Sequence, residues 1–128
     1  MRLKALSPFL ALGLLALPAC SKQLEAPADR GVCWHMAQLQ GDKVRFNRVA
    51  QNVDSIEKCA VQLEAMRVRF LALGGANNEI VGAYQGQFLF LQPEGIFIGQ
   101  SLTSGRYLLL VRAGDGKLAK PGSVPIEQ

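Results

Sequence analysis

The sequence predicts an α+β fold: a small, mainly antiparallel sheet of about five or six strands packed against one long helix. Three observations predict it. Apolar residues recur at helical spacing between positions 54 and 73, and only there over such a length. On both sides of that segment, short runs rich in Val, Ile, Phe and Leu are punctuated by Gly, Pro and Asp. Two cysteines, Cys33 and Cys59, stand one in the first of these runs and one in the helical segment.

The elements follow in order. Residues 32–39 and 43–49 read as two strands around Gln40-Gly41-Asp42, where Gly-Asp supplies the chemistry of a hairpin turn. From 54 to 73, Ile56, Cys59, Ala60, Leu63, Met66 and Phe70 share one helical face. Asp54 and Glu57 suit a capping-box start and Gly74-Gly75 a stop. Residues 79–84, 87–91, 96–100 and 106–112 read as further strands, broken at Gly86, at Pro93-Glu94-Gly95 and at Thr103-Ser104-Gly105. Pro and Gly at the second and fourth turn positions suit a type I turn. Phe88-Leu89-Phe90-Leu91 and Leu108-Leu109-Leu110-Val111 do not alternate, so both are expected to be central or covered on both faces. Something must then cover the second face of the sheet.

The chain opens with Arg2 and Lys4, then an apolar run over 5–17 that is too short to span a bilayer, then Leu17-Pro18-Ala19-Cys20. This arrangement resembles a bacterial lipoprotein signal peptide ending in a lipobox, although Pro18 stands where a small residue is usual. The resemblance implies cleavage before Cys20, a diacylglycerol thioether on its sulfur, acylation of the new N-terminus, and a protein held at a membrane without spanning it. Ala26-Pro27-Ala28 would pass as an ordinary secretory cleavage site, but Lys22 and Glu25 make the intervening segment too long. The expected organisation is a signal peptide over 1–19, a flexible tether over 20–30, one domain over 31–117 and a loose C-terminal tail over 118–128.

Cysteine parity agrees with export. With Cys20 lipidated, Cys33 and Cys59 remain as an even pair in a compartment where disulfides persist, and they are expected to be bonded. Such a bond would staple the helix to the first strand. A metal site lacks support, because two lone cysteines and one distant histidine have no ligand spacing. The formal net charge of +4 includes Arg2 and Lys4, so the mature chain is only weakly basic and gives little ground for a nucleic-acid partner.

The inventory of chemical groups is thin. His35 is the sole histidine, and it alternates with Trp34 along a strand, with no partner implied by spacing. No nucleophile elbow, phosphate-binding glycine loop or zinc helix is present. No cofactor is implied. Tyr84, Gln85 and Gln87 could line a polar groove for glycan or peptide, or be no more than a strand end and turn. Arg67 projects within about 40° of Ile56 and Leu63 on the helical wheel, so a charge enters the apolar stripe and needs a partner. Glu64 at i−3 is the local choice; Glu79 or Glu94 would make a buried pair across the sheet. Val61, Ala65, Val68 and Ala72 form a second, weaker stripe where the tether, the tail or another chain could approach.

From Cys33-Trp34-His35-Met36 through Cys59-Ala60 to Gly82-Ala83-Tyr84-Gln85-Gly86-Gln87-Phe88, the chain looks like small exported proteins of alphaproteobacteria. That resemblance carries no activity. The function expected is a non-enzymatic envelope lipoprotein facing the periplasm that binds a protein or glycan partner. Ser21 after the lipidated cysteine favours the outer over the inner membrane. The alternative is a small envelope hydrolase or transferase with a site near His35 and Tyr84.

Overall fold

Gly41, at φ +74°, turns the chain between two runs of β-formers, which become β1 (Cys33–Gln38) and β2 (Val44–Ala50). The computed structural model describes residues 23–76 and 79–122. After β2 the chain enters α1 (Ile56–Ala72), then β3 (Ile80–Tyr84), β4 (Gln87–Gln92), β5 (Gly95–Gly99), β6 (Arg106–Arg112) and the two-residue β7 (Leu118–Ala119). The seven strands form one sheet in the order β2-β1-β3-β4-β5-β6-β7, with every neighbouring pair antiparallel. This is the expected α+β architecture with one or two more strands.

The helix ends are set by side chains near their predicted places. Ser55, rather than Asp54, is the N-cap: it is extended (φ −156°, ψ 156°), and its hydroxyl accepts from the Lys58 amide at 3.1 Å. Asp54 instead pairs with the Lys58 ammonium at 3.0 Å, while Glu57 places a negative charge in the first turn. At the other end Gly74 turns at φ +92°. Its amide donates to the Leu71 carbonyl and the Gly75 amide to that of Phe70, the double bond of a Schellman stop.

One face of the sheet receives the helix. Leu63, fully buried, enters over Gly82 of β3, where a Cβ would lie 2.3 Å from Leu63 Cδ1 and 2.6 Å from the Trp34 carbonyl. Glycine is what lets the helix come this close. Cys33, Cys59, Leu89, Leu91, Ile96 and Leu110 complete this core. The Cys33–Cys59 disulfide joins β1 to α1, with both residues fully buried.

The second face carries Ala83, Phe88 and Phe90 with Trp34, Met36, Phe46 and Phe97 around them. Its cover is the segment expected to be a free tether. Leu24 and Ala26 pack on this aromatic layer, and the Pro27 carbonyl accepts from the Gly86 amide at 2.9 Å. The domain therefore includes residues 24–30, which were expected to be tether. Burial of the apolar side chains at 24 and 26, together with the Pro27–Gly86 and Gly31–Gln85 hydrogen bonds, offsets the entropy lost in ordering the segment. The sheet also passes the expected boundary at 117, because Leu118 and Ala119 pair with Arg112 and Val111.

The two apolar runs differ in fate. β4 is central and buried from Phe88 to Leu91, as its pattern requires. In β6, however, Tyr107 is 72 % and Leu108 45 % exposed, and only Leu110 is buried. A register shift opposite Ile96 and Phe97 breaks the alternation, and the neighbour on the far side is only the two-residue β7.

Candidate functional site

One cleft forms where a ladder stops. β1 and β3 pair over three residues only, Cys33 with Tyr84, Trp34 with Ala83 and His35 with Gly82. Beyond His35 the strands part: β1 stays with β2 as far as Gln38 and β3 stays with β4 from Ile80. The fork between them, closed on one side by Met66 and Phe70 of the helix, holds a cavity of about 530 Å³. His35, Gln38 and Glu79 contribute its polar side chains. Glu79 already accepts from the Gln92 amide at 2.7 Å. Burial pushes the His35 imidazole below its ordinary pKa, so the neutral ring is favoured. Among the described residues His35 makes no side-chain hydrogen bond and no ion pair.

Tyr84 lies two residues along the same strand face from Gly82, but it is not a cleft residue. Its ring is buried and its hydroxyl donates to the Val53 carbonyl at 2.6 Å, tying the loop before the helix to the sheet. Gln85 (φ +46°) and Gly86 (φ +87°) form a two-residue hairpin turn of the left-handed kind. Gln85 Oε1 accepts from the Gly31 amide at 2.8 Å. Gln87, half-buried, pairs with Tyr84 in the ladder. Of the two readings of Tyr84, Gln85 and Gln87, the structure shows a strand end and turn that holds the protein's own segment around residues 27–31.

Val61 and Val68 are half-exposed, at 51 % and 53 %. With Ala65 and Ala72 they form one wall of a second groove, about 650 Å³, whose other wall is the turn at residues 116–118. The C-terminal hairpin does approach the small-residue stripe, and it leaves an open channel.

Arg67 bonds Glu64 at 3.4 Å, the local choice, but the pair is buried rather than superficial. Glu64 has a closer partner that sequence reasoning missed. Arg112 of β6 donates from Nε at 2.7 Å and from Nη2 at 2.9 Å to its two oxygens, and from Nη1 to the Gln92 and Pro93 carbonyls. The available signal was an arginine following Leu110 and Val111 in a strand, where a cation facing inward requires an anion. Glu94 acts on Arg112 only through its field, and Glu79 serves Gln92.

Among the described residues no group of three or more His, Cys, Asp or Glu side chains could share a metal ion, and no helix is long and apolar enough to cross a membrane. Cys20 lies outside the described residues. No protein-family model matches the chain, and no curated protein or solved structure matches it either.

Proposed function

We propose that this chain is a lipid-anchored binding module of the bacterial envelope, held by Cys20 on the periplasmic side of a membrane, the outer rather than the inner. The observation that carries the binding reading is the β1–β3 fork, a cavity walled by two strand edges and the end of a helix. The Cys33–Cys59 disulfide supports an oxidising compartment and makes the helix wall rigid with respect to β1. Binding is favoured over catalysis because the Tyr84 hydroxyl is engaged by Val53 and His35 has no carboxylate or hydroxyl on it to orient a proton transfer. The partner is an envelope protein or glycan.

Two experiments test this. Cys20→Ser should abolish lipid labelling and either release the protein from membranes or leave it unprocessed; a labelled, processed variant overturns the anchor. A photocrosslinking residue at Phe70, beside the fork, should trap an envelope partner in intact cells that the same residue at exposed Tyr107 does not. Equal trapping at both positions, or none, overturns the binding site.

A further inference from the structure

We infer that the fork between β1 and β3 receives a short extended peptide, whose main chain continues the ladder from which the two strands part. This rests on the binding-module reading and names the ligand of that same site. Extending the register past His35 and Gly82 would set Met36 opposite Val81, Ala37 opposite Ile80 and Gln38 opposite Glu79. None of these pairs is formed, and all six residues line the cavity. Met36 and Val81 belong to the second-face core while Ile80 belongs to the helix-side core, so the opening cuts between the strands rather than lying on one face.

The open edges define what fits. Along an antiparallel strand the N–H and C=O of successive residues point alternately to one neighbour and the other. Three residues of β1 and the facing residues of β3 therefore each aim at least one main-chain donor and acceptor into the fork. Such groups in a partly buried site need partners. An extended peptide offers matching donors and acceptors at the same spacing, and adding a strand to an open edge is an established mode of peptide capture. Three residues span about 10 Å, which sets the length of segment engaged.

The helix wall selects the side chain. Met66 and Phe70, one turn apart, face the opening, and the flexible thioether of methionine adapts to apolar groups of differing shape. An apolar residue at the centre of the segment would pack here. The neutral Gln92 amide on Glu79 does not cancel the carboxylate, so the site disfavours the C-terminal carboxylate of a peptide and suits an internal segment better than a C-terminus.

The test uses the full-length processed protein in detergent micelles and a pool of capped tripeptides with Leu, Val, Phe or Met at the centre. Backbone amide shifts on titration should move at residues 36–38 and 80–81. A second pool, N-methylated at the central residue and so unable to donate there, should bind at least tenfold more weakly. Phe70→Ser, at a half-exposed position, should weaken binding severalfold while leaving the unliganded spectrum dispersed. No shifts from the peptide pool, shifts elsewhere, or equal affinity for the N-methylated pool would overturn the inference. Movement of the same amides by an N-acetylglucosamine oligomer and not by peptides would also overturn it. Those results, with a partner still trapped at Phe70 in cells, would leave the binding-module reading intact; loss of both would remove the reading itself.

Discussion

Arg112 grips Glu64 with two parallel bonds, Nε to Oε2 at 2.7 Å and Nη2 to Oε1 at 2.9 Å, across a sequence separation of 48. Its remaining nitrogen reaches the Gln92 and Pro93 carbonyls, so one side chain ties the middle of the helix to β6 and to the β4–β5 turn. The Cys33–Cys59 bond holds the first half of the helix to β1. The last turns, with Met66 and Phe70, extend beyond both fixed points and border the fork.

Glu64→Gln should be the most damaging single change outside the disulfide. It removes the anion that both Arg67 and Arg112 contact, in a site where Glu64 is only 8 % exposed. Breaking a buried ion pair from one side costs about 3–5 kcal/mol, and the partial exposure of Arg112 places the expected loss near the lower end. Denaturant titration measures it. Arg112→Lys should lose part of the same stability, because an ammonium cannot reproduce the forked contact.

Reduction of Cys33–Cys59, or Cys33→Ser, should lower stability by about 3–4 kcal/mol in the chain-entropy account. Thiol-reactive mass labelling of the native protein should find neither cysteine until reductant is added. Free thiols in the unreduced protein would contradict the bond.

Gly82→Ala should destabilise the fold by about 1–3 kcal/mol, as overpacking does. The new methyl would meet Leu63, whose end can rotate, and the Trp34 carbonyl, which is main chain and cannot. Adding Leu63→Val should relieve only the first of these contacts. Full recovery in the double variant would show that the main-chain contact costs nothing.

His35 should give the domain an acid-sensitive term. Its folded pKa is lowered by burial, so the unfolded chain binds the proton more readily. The associated stability is present in full above the ordinary value of 6.5 and declines as pH falls below it, until the lowered folded value is passed. His35→Asn should therefore flatten the loss of stability between neutral and mildly acidic pH. Denaturation midpoints for parent and variant across that window decide it, and parallel curves would rule the term out.

Val61→Lys with Val68→Lys should leave the melting temperature nearly unchanged, since both side chains are about half exposed and surface changes stay within about 0.5 kcal/mol. A large fall would mean that the groove beside residues 116–118 is packed by the protein's own chain. Retained stability with unchanged trapping at Phe70 would make this stripe an ordinary surface.

What the sequence determined by itself is local. The helix, its Gly74 stop, the turns at Gly41, Gly86 and Pro93, and the buried run at Phe88 to Leu91 were all legible, because period and turn chemistry act within a few residues. The pairing of Cys33 with Cys59 was legible too, since with Cys20 read as lipidated these were the two cysteines left over and have one partner each. Tertiary structure decided the rest. Nothing near Leu24 and Ala26 announces that they will cover an aromatic face, because that gain exists only once Phe88 and Phe90 are assembled. Likewise Arg112 finds Glu64, and Tyr84 turns inward to Val53, only through the order in which β3 and β6 enter the sheet. The fork has the same origin. Residues 36–38 and 80–81 carry ordinary strand sequences and pair with β2 and β4, and they fail to pair with each other only because β1 and β3, held by different neighbours, diverge after three pairs.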